Sequence, residues 1–312
     1  MAAWRVVALL LTGCLAALGQ DQDIYLRVKQ VLGDKGEAEL RAKNFAQVDS
    51  QLTAIKPSSG SERAEILALQ GALAFLEGDM ARAASAFRDS EKLHPAREGD
   101  RFTLAMALVR LGDETGARTE LSGLAKEHDS TAIYWYWLGR IDYDQRRYTE
   151  AADHLQKAVQ LDPKSARGWD SLGLVWDMQG QMEKARELFE KAVSLNRQQA
   201  QPSAWPPHNL GYLLLRAGEP AQAEVALRES LKYDGSLART HYYLARSLEK
   251  EEKFDEAVAE YRIAIAGDKT SADSCYSLAM LYQKLHRDAE AKMMFAEFKA
   301  RRGSGAESQT SH

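Results

Sequence analysis

From about Ala64 to its end, the chain repeats itself every 34 residues, with one four-residue slip near Gln199. A period of that length marks an array of supersecondary units, so it restricts the fold before any local propensity is read. In this register the twentieth position is Ala83, Ala117, Ala151, Ala185, Ala223, Ala257 and Ala291. The eighth position is Gly71, Ala105, Gly139, Gly173, Gly211, Ala245 and Ala279, none larger than a methyl. The twenty-fourth carries bulk instead: Phe87, Leu121, Leu155, Phe189, Leu227, Tyr261 and Phe295. Two fixed small positions mean close backbone approach, and a large side chain must fill what they vacate.

Within each unit the apolar residues recur at three- and four-residue spacing, as in Leu155, Ala158, Val159 and in Leu210, Leu213, Leu214. That is a helical period. Gly78, Gly112, Gly180 and Gly218 share the fifteenth position, where a first helix must stop and a positive φ costs glycine least. Ser130, Ser165 and Ser271 stand before the next first helix as expected N-caps. Each unit therefore reads as a helical hairpin, which cannot cover its own apolar face and must stack on its neighbours.

The pattern resembles the tetratricopeptide repeat, whose signature is W-x2-L-G-x2-Y, A-x3-F and P. One unit supplies Trp135, Leu138, Gly139, Ala151, Leu155, Ala158 and Pro163; the next supplies Trp169, Leu172, Gly173, Trp176, Ala185, Phe189 and Ala192. Gln70, Leu124 and Phe298 depart from it. The resemblance implies an all-α solenoid of helical hairpins, a right-handed superhelix of about eight units. Residues 20–63, with Phe45, Leu52 and Ile55 at core positions, read as a degenerate first unit or cap, and 64–301 as seven units. An insertion at 198–203 precedes Trp205-Pro206-Pro207, and is either a tolerated loop or a hinge. The polar segment 302–312 is expected to be disordered.

Residues 1–19 read as an export signal: Arg5, the apolar run Val6 to Leu11, then Leu15 to Leu18. Two routes of processing stay open. Ala17-Leu18-Gly19 suits a signal peptidase and gives a periplasmic or secreted protein, whereas Leu11-Thr12-Gly13-Cys14 resembles a lipobox and gives a membrane-anchored lipoprotein acylated at Cys14. Cys275 is the only other cysteine, expected as buried filler.

A net charge of −4 argues against a nucleic-acid binder, which needs a cationic stripe. The sequence holds no HExxH, CxxC, GxxxxGK[ST] or GxSxG motif, and its seven histidines are scattered, so neither catalysis, a cofactor nor a metal is expected. What remains is a surface for a protein or peptide partner. In the family the first helices line a concave wall, and ligand contacts fall at the second, fifth, ninth, twelfth and thirteenth positions. The resemblance places there Ile133, Tyr136, Arg140, Tyr143 and Asp144, then Arg167, Asp170, Asp177 and Met178. It continues through His208, Tyr212, Arg216, Arg239, Tyr242 and Arg246 to Tyr276, Gln283 and Lys284. Tyr and Arg are frequent interface anchors, and such a groove suits an extended acidic segment. Only Asn209 and Arg239 approach the dicarboxylate clamp of the chaperone-tail subgroup, which is not expected here. Trp135, Trp169 and Trp176 read as core. Ala291, Met294, Phe295 and Phe298 leave an apolar face on the last unit, open to association with a partner or a second copy.

Overall fold

The computed structural model describes the backbone of residues 20–309 and the side chains of 23–302. The leader and Cys14 lie outside the described residues. Sixteen α-helices and no strands make up the described chain. It divides into two compact units, Met1–Leu161 and Asp162–His312.

In the first unit, α1 (Gln20–Arg41) and α2 (Phe45–Ala54) precede three hairpins. These are α3 (Gly60–Glu77) with α4 (Met80–Glu91), α5 (Glu98–Leu111) with α6 (Glu114–Glu127), and α7 (Ala132–Asp144) with α8 (Tyr148–Leu161). The second unit has four: α9 (Ala166–Met178) with α10 (Met182–Asn196), α11 (Trp205–Arg216) with α12 (Pro220–Tyr233), α13 (Ala238–Lys250) with α14 (Phe254–Gly267), and α15 (Asp273–Lys284) with α16 (Asp288–Gln309). The seven repeats are thus seven hairpins, and the chain is all-α.

The small positions do what their spacing demands. A Cβ added at Gly139 would sit 2.6 Å from Leu155 Cγ, and one at Gly173 would sit 2.6 Å from Phe189 Cε1. At Gly211 the obstacle is Leu227 Cγ at 2.5 Å, and at Gly71 the Phe87 ring at 3.1 Å. The twenty-fourth side chain of each of these hairpins therefore fills the gap left at the eighth, and the seven alanines of the twentieth position are all buried. Cys275 is buried as well.

All seven first helices stop at the fifteenth position in the left-handed region. Gly78, Gly112, Gly180 and Gly218 take φ of 75–88°, and where no glycine stands, Arg146, Glu252 and His286 take φ of 59°, 59° and 57°. The next amide then reaches back to a carbonyl five residues earlier, as in Asp79 N to Ala74 O (2.9 Å) and Arg147 N to Asp142 O (2.8 Å). These six-to-one bonds satisfy carbonyls that the helix end would orphan, and offset the cost of the left-handed backbone. Of the three serines expected as caps, only Ser165 acts, accepting from Gly168 N at 3.1 Å. Thr131 and Ala272 precede α7 and α15 instead, without a side-chain bond. Asp268 organises the second of these turns by accepting from the amides of Thr270 and Ser271.

Helix α1 breaks at Gly33, with φ 73° and ψ −169°. Ile24, Val28, Leu40, Val48 and Leu52 bury against Ile66, Leu69 and Leu73, with Phe45 and Ile55 partly covered. Arg27 is buried and donates to Asp100 at 2.7 and 3.1 Å and to Glu65 at 2.8 and 3.3 Å, fastening α1 to α3 and α5. Gln70, the apparent departure from the repeat, donates to Asp49 (3.0 Å) and Thr53 (3.1 Å) of α2. The insertion lies within the second unit and is closed by one side chain: Asn196 Nδ2 donates to Ser203 O, and its Oδ1 accepts from Ser203 N, both at 2.8 Å. Helix α16 continues to Gln309, through much of the segment expected to lack order. No helix among the described residues is long and apolar enough to cross a membrane.

Replacing Ala185 by Leu puts three extra carbons into a filled site, and overpacking of this kind costs about 1–3 kcal/mol. The thermal midpoint followed by circular dichroism should fall for Ala185→Leu and hardly change for the exposed control Ala221→Leu. Equal midpoints would show that the notch does not set hairpin spacing.

Candidate functional site

The expected wall residues fall into two groups, one in each compact unit. In the first, Arg140 stands 5.5 Å over the Tyr143 ring and 3.9 Å from Asp144. Tyr143 meets Tyr148 edge-on at 5.9 Å. Tyr136 is not an exposed anchor: it is only 7% exposed and lies edge-on to Trp137 at 5.5 Å.

In the second unit the first helix α11 neighbours both α9 and α13. Arg167 is half-buried at the start of α9, and Met178 is exposed at its end. Asp170 accepts from Asn209 Nδ2 at 3.0 and 3.1 Å, which occupies the asparagine that a terminal clamp would need. Asp177 holds Arg216 through both carboxylate oxygens at 2.8 and 2.7 Å. Arg216 also stands 5.3 Å over the Tyr212 ring.

Tyr212, half-buried, stacks on Tyr243 with centroids 4.6 Å apart, and Tyr242 lies 5.4 Å from the same ring. Arg239 donates to the Tyr243 hydroxyl at 3.2 Å and sits over its ring, while Arg246 sits 5.9 Å over Tyr242. Tyr242 Oη reaches Ser277 of α15 at 3.5 Å. The result is a sheet of tyrosines edged by arginines across α11 and α13. Tyr243 is the hub, and sequence reasoning missed it. The sixth position it occupies is Leu69, Thr103, Trp137, Ser171, Asn209 and Ser277 in other units, so nothing in the repeat marks it.

His208 also departs from expectation. It is 5% exposed, lies between Trp205 and Tyr243, and has Nδ1 2.8 Å from the Thr240 hydroxyl. It supports the wall from behind and offers a ligand little surface. Burial, helped by the nearby Arg239 charge, pushes its pKa down to about 4. His241 is the converse case. Glu260 lies 2.5 Å from its Nδ1 and the Gly235 carbonyl 3.1 Å from its Nε2, so acceptors face both nitrogens and its pKa is raised.

The tryptophans expected in the core are half-buried. Trp135 and Trp169 donate to the carbonyls of Asp129 (2.8 Å) and Pro163 (2.9 Å), and lysines lie over two faces, Lys191 over Trp169 and Lys184 over Trp176. At the last unit, Met294, Phe295 and Phe298 are half-buried. Tyr276 packs on Phe298 at 5.2 Å and on Phe295 at 6.0 Å, with Arg302 5.5 Å over Phe298. Arg301 turns the other way, donating to the carbonyls of Asp268 (2.8 Å) and Ser271 (3.1 Å).

The family model described as tetratricopeptide repeat matches residues 102–166, 143–204 and 208–272. The chain is a tetratricopeptide repeat protein. Proteins of this family typically mediate protein–protein interaction. A human relative, Protein O-mannosyl-transferase TMTC1, is 26% identical over 240 residues, which is 76% of this chain but 25% of that protein. Type IV pilus assembly protein PilF of Pseudomonas aeruginosa is 28% identical over 153 residues, 46% of this chain and 59% of its own. The crystal structure of a tetratricopeptide repeat protein from Parabacteroides merdae superposes with a TM-score of 0.62 at 14% identity, over 83% of this chain and 99% of that one. At that identity the likeness concerns the fold.

The two histidines set opposite pH dependences. Between pH 6.5 and about 4 the unfolded chain takes up a proton at position 208 that the folded chain refuses, so stability falls across that window, by roughly 3 kcal/mol at most. His241 has its full stabilising effect below pH 6.5 and loses it as pH rises through its raised folded value. Urea unfolding at a series of pH values should therefore show a shallower acid-side loss in His208→Asn than in the unsubstituted chain. Parallel curves would rule His208 out as the titrating group.

Proposed function

We propose that this tetratricopeptide repeat protein is a non-catalytic scaffold or adaptor that holds an extended segment of a partner protein along the first helices of its second unit. The observation that carries this reading is the Tyr212, Tyr242 and Tyr243 cluster with Arg239 and Arg246 at its edge. Tyrosine gives a large apolar face with few rotatable bonds, and arginine adds directional donors, which together favour a peptide over bulk water. Arg140 with Tyr143 in the first unit repeats the pairing on a smaller scale. A scaffold reading also agrees with the assembly role named for the pilus relative. The activity named for the human transferase is not carried over, since the match takes in a quarter of that protein.

The wall reading is tested by placing a photo-crosslinking residue at Tyr212 or Tyr242 in cells that make the protein. Adducts with a partner should form there and be scarce from Lys232, which is exposed on the second helix α12. Equal yields from all three positions would count against the wall.

The leader supports export to the cell envelope, as a periplasmic or secreted protein. The lipobox-like Leu11 to Cys14 favours a second reading, a lipid-anchored assembly lipoprotein. Intact mass after fractionation separates them. A soluble species beginning at Gln20 is expected for the first, and a membrane-pelleted species carrying acyl mass on Cys14 for the second; a chain retaining residues 1–19 in the cytoplasm would refute both.

A further inference from the structure

On the second unit's wall, the cation at the thirteenth repeat position, Arg216 on α11, is answered from inside the chain. Asp177, at the twelfth position of α9, brings both oxygens within 2.8 Å of Arg216 Nη1. The same thirteenth position holds Lys250 on α13 and Lys284 on α15, and Arg246 precedes Lys250 by about one turn. These three exposed cations line one open depression with Glu249 and Glu252. No carboxylate among the described residues forms a salt bridge with any of them.

Glu249 occupies the position that Asp177 holds two hairpins earlier, yet it is committed elsewhere. Its Oε2 accepts from the buried Tyr261 hydroxyl at 2.8 Å, fixing the carboxylate to α14. Glu252 is exposed on the left-handed residue that ends the helix. Lys284 stands 4.5 Å over the Phe254 ring and Arg246 5.9 Å over Tyr242. A cation seated over a ring face keeps N–H donors for an oxyanion.

We propose that this depression receives the side-chain carboxylate of an Asp or Glu in the bound partner segment, doing from outside what Asp177 does for Arg216 from within. The proposal rests on the reading of the α11 and α13 wall as the binding surface and names the chemistry that the segment must carry. Tyr212 and Tyr242 would meet its apolar side chains, and Arg246, Lys250 and Lys284 its charge.

The test pans a random dodecapeptide display library on the full chain, then measures labelled winners by fluorescence anisotropy. Asp and Glu should be enriched, and replacing them by Gln should weaken binding by about tenfold or more. Charge reversal in R246E/K250E/K284E should cost at least as much, and the neutral R246Q/K250Q/K284Q variant should fall between. All three side chains are exposed, so the fold should survive, which circular dichroism checks. Winners lost in Y212A/Y242A but indifferent to both charge variants would overturn the carboxylate site and leave the wall standing. An unselective library, or winners indifferent to every variant, would overturn site and wall together. Displacement of winners by inorganic phosphate as readily as by unlabelled peptide would make the depression a phosphate site and overturn the carboxylate assignment.

Discussion

The contact between the eighth and twenty-fourth positions governs the rest of the structure. With no Cβ at Gly139 or Gly173, the second helix of the hairpin comes close enough for Leu155 or Phe189 to occupy the vacancy. That closeness fixes the spacing of the two helices by sterics, which fall off steeply and tolerate little error. Since stability in such an array is a sum of unit and neighbour contributions, one well-fitted contact repeated in four of the hairpins contributes at each repetition. The left-handed stop at the fifteenth position serves the same end, because a hairpin with a fixed turn delivers the twentieth residue to one place. Three units achieve that stop with Arg146, Glu252 or His286, accepting strain that the six-to-one hydrogen bond offsets.

Confining the fold to buried positions frees the outward positions of the first helices, and this division decided what the sequence could disclose. The all-α hairpin organisation and the buried alanines were legible, because steric requirements recur at a fixed period. The wall was legible only as positions. Tyr136 and His208 sit where the family contacts ligands, yet both are covered, since a side chain at the fifth position can turn inward when its neighbours leave room. Tyr243 was missed for the opposite reason: it becomes the hub through rings contributed by α11 and by its own helix, a relation no single unit contains. Ser130 and Ser271 show a similar limit, for a serine near a helix start caps it only when its backbone is extended at the right residue.

Within the second unit the wall's polar groups divide according to whether the chain satisfies them. Asp170 with Asn209, Asp177 with Arg216, and His241 with Glu260 are closed pairs. The first two bind neighbouring hairpins and the third the two helices of one hairpin, and closed pairs of this kind add little as exposed charge. Arg239 is held by a phenol, and no carboxylate among the described residues forms a salt bridge with it, so no counter-charge offsets it on the surface. The distinction matters more than the number of charged residues, because a paired cation must give up its partner before it can accept another, and desolvation makes that exchange unfavourable.

Tyrosine in place of aliphatic residues on the wall follows from the same economy. A stripe of Leu or Ile across successive first helices would be a continuous apolar patch, and patches of that kind invite self-association. Tyr212 and Tyr242 are instead half-buried, with arginines over their rings and hydroxyls at their edges. Each ring is thereby solvated on part of its surface and stacked on the rest. His208 extends the arrangement inward: it is buried, packs on Tyr243 and contacts Thr240, and the dry surroundings that push its pKa down to about 4 keep the group beneath the hub uncharged well into the acid range. The surface available to a partner and the integrity of the core beneath it are in this way supported by the same side chains. A change that wets the base of the wall would let His208 take up a proton beside Arg239 once the pH falls below about 6.5, and so disturb the face above in mildly acid conditions, which a wall resting on aliphatic packing alone would not experience.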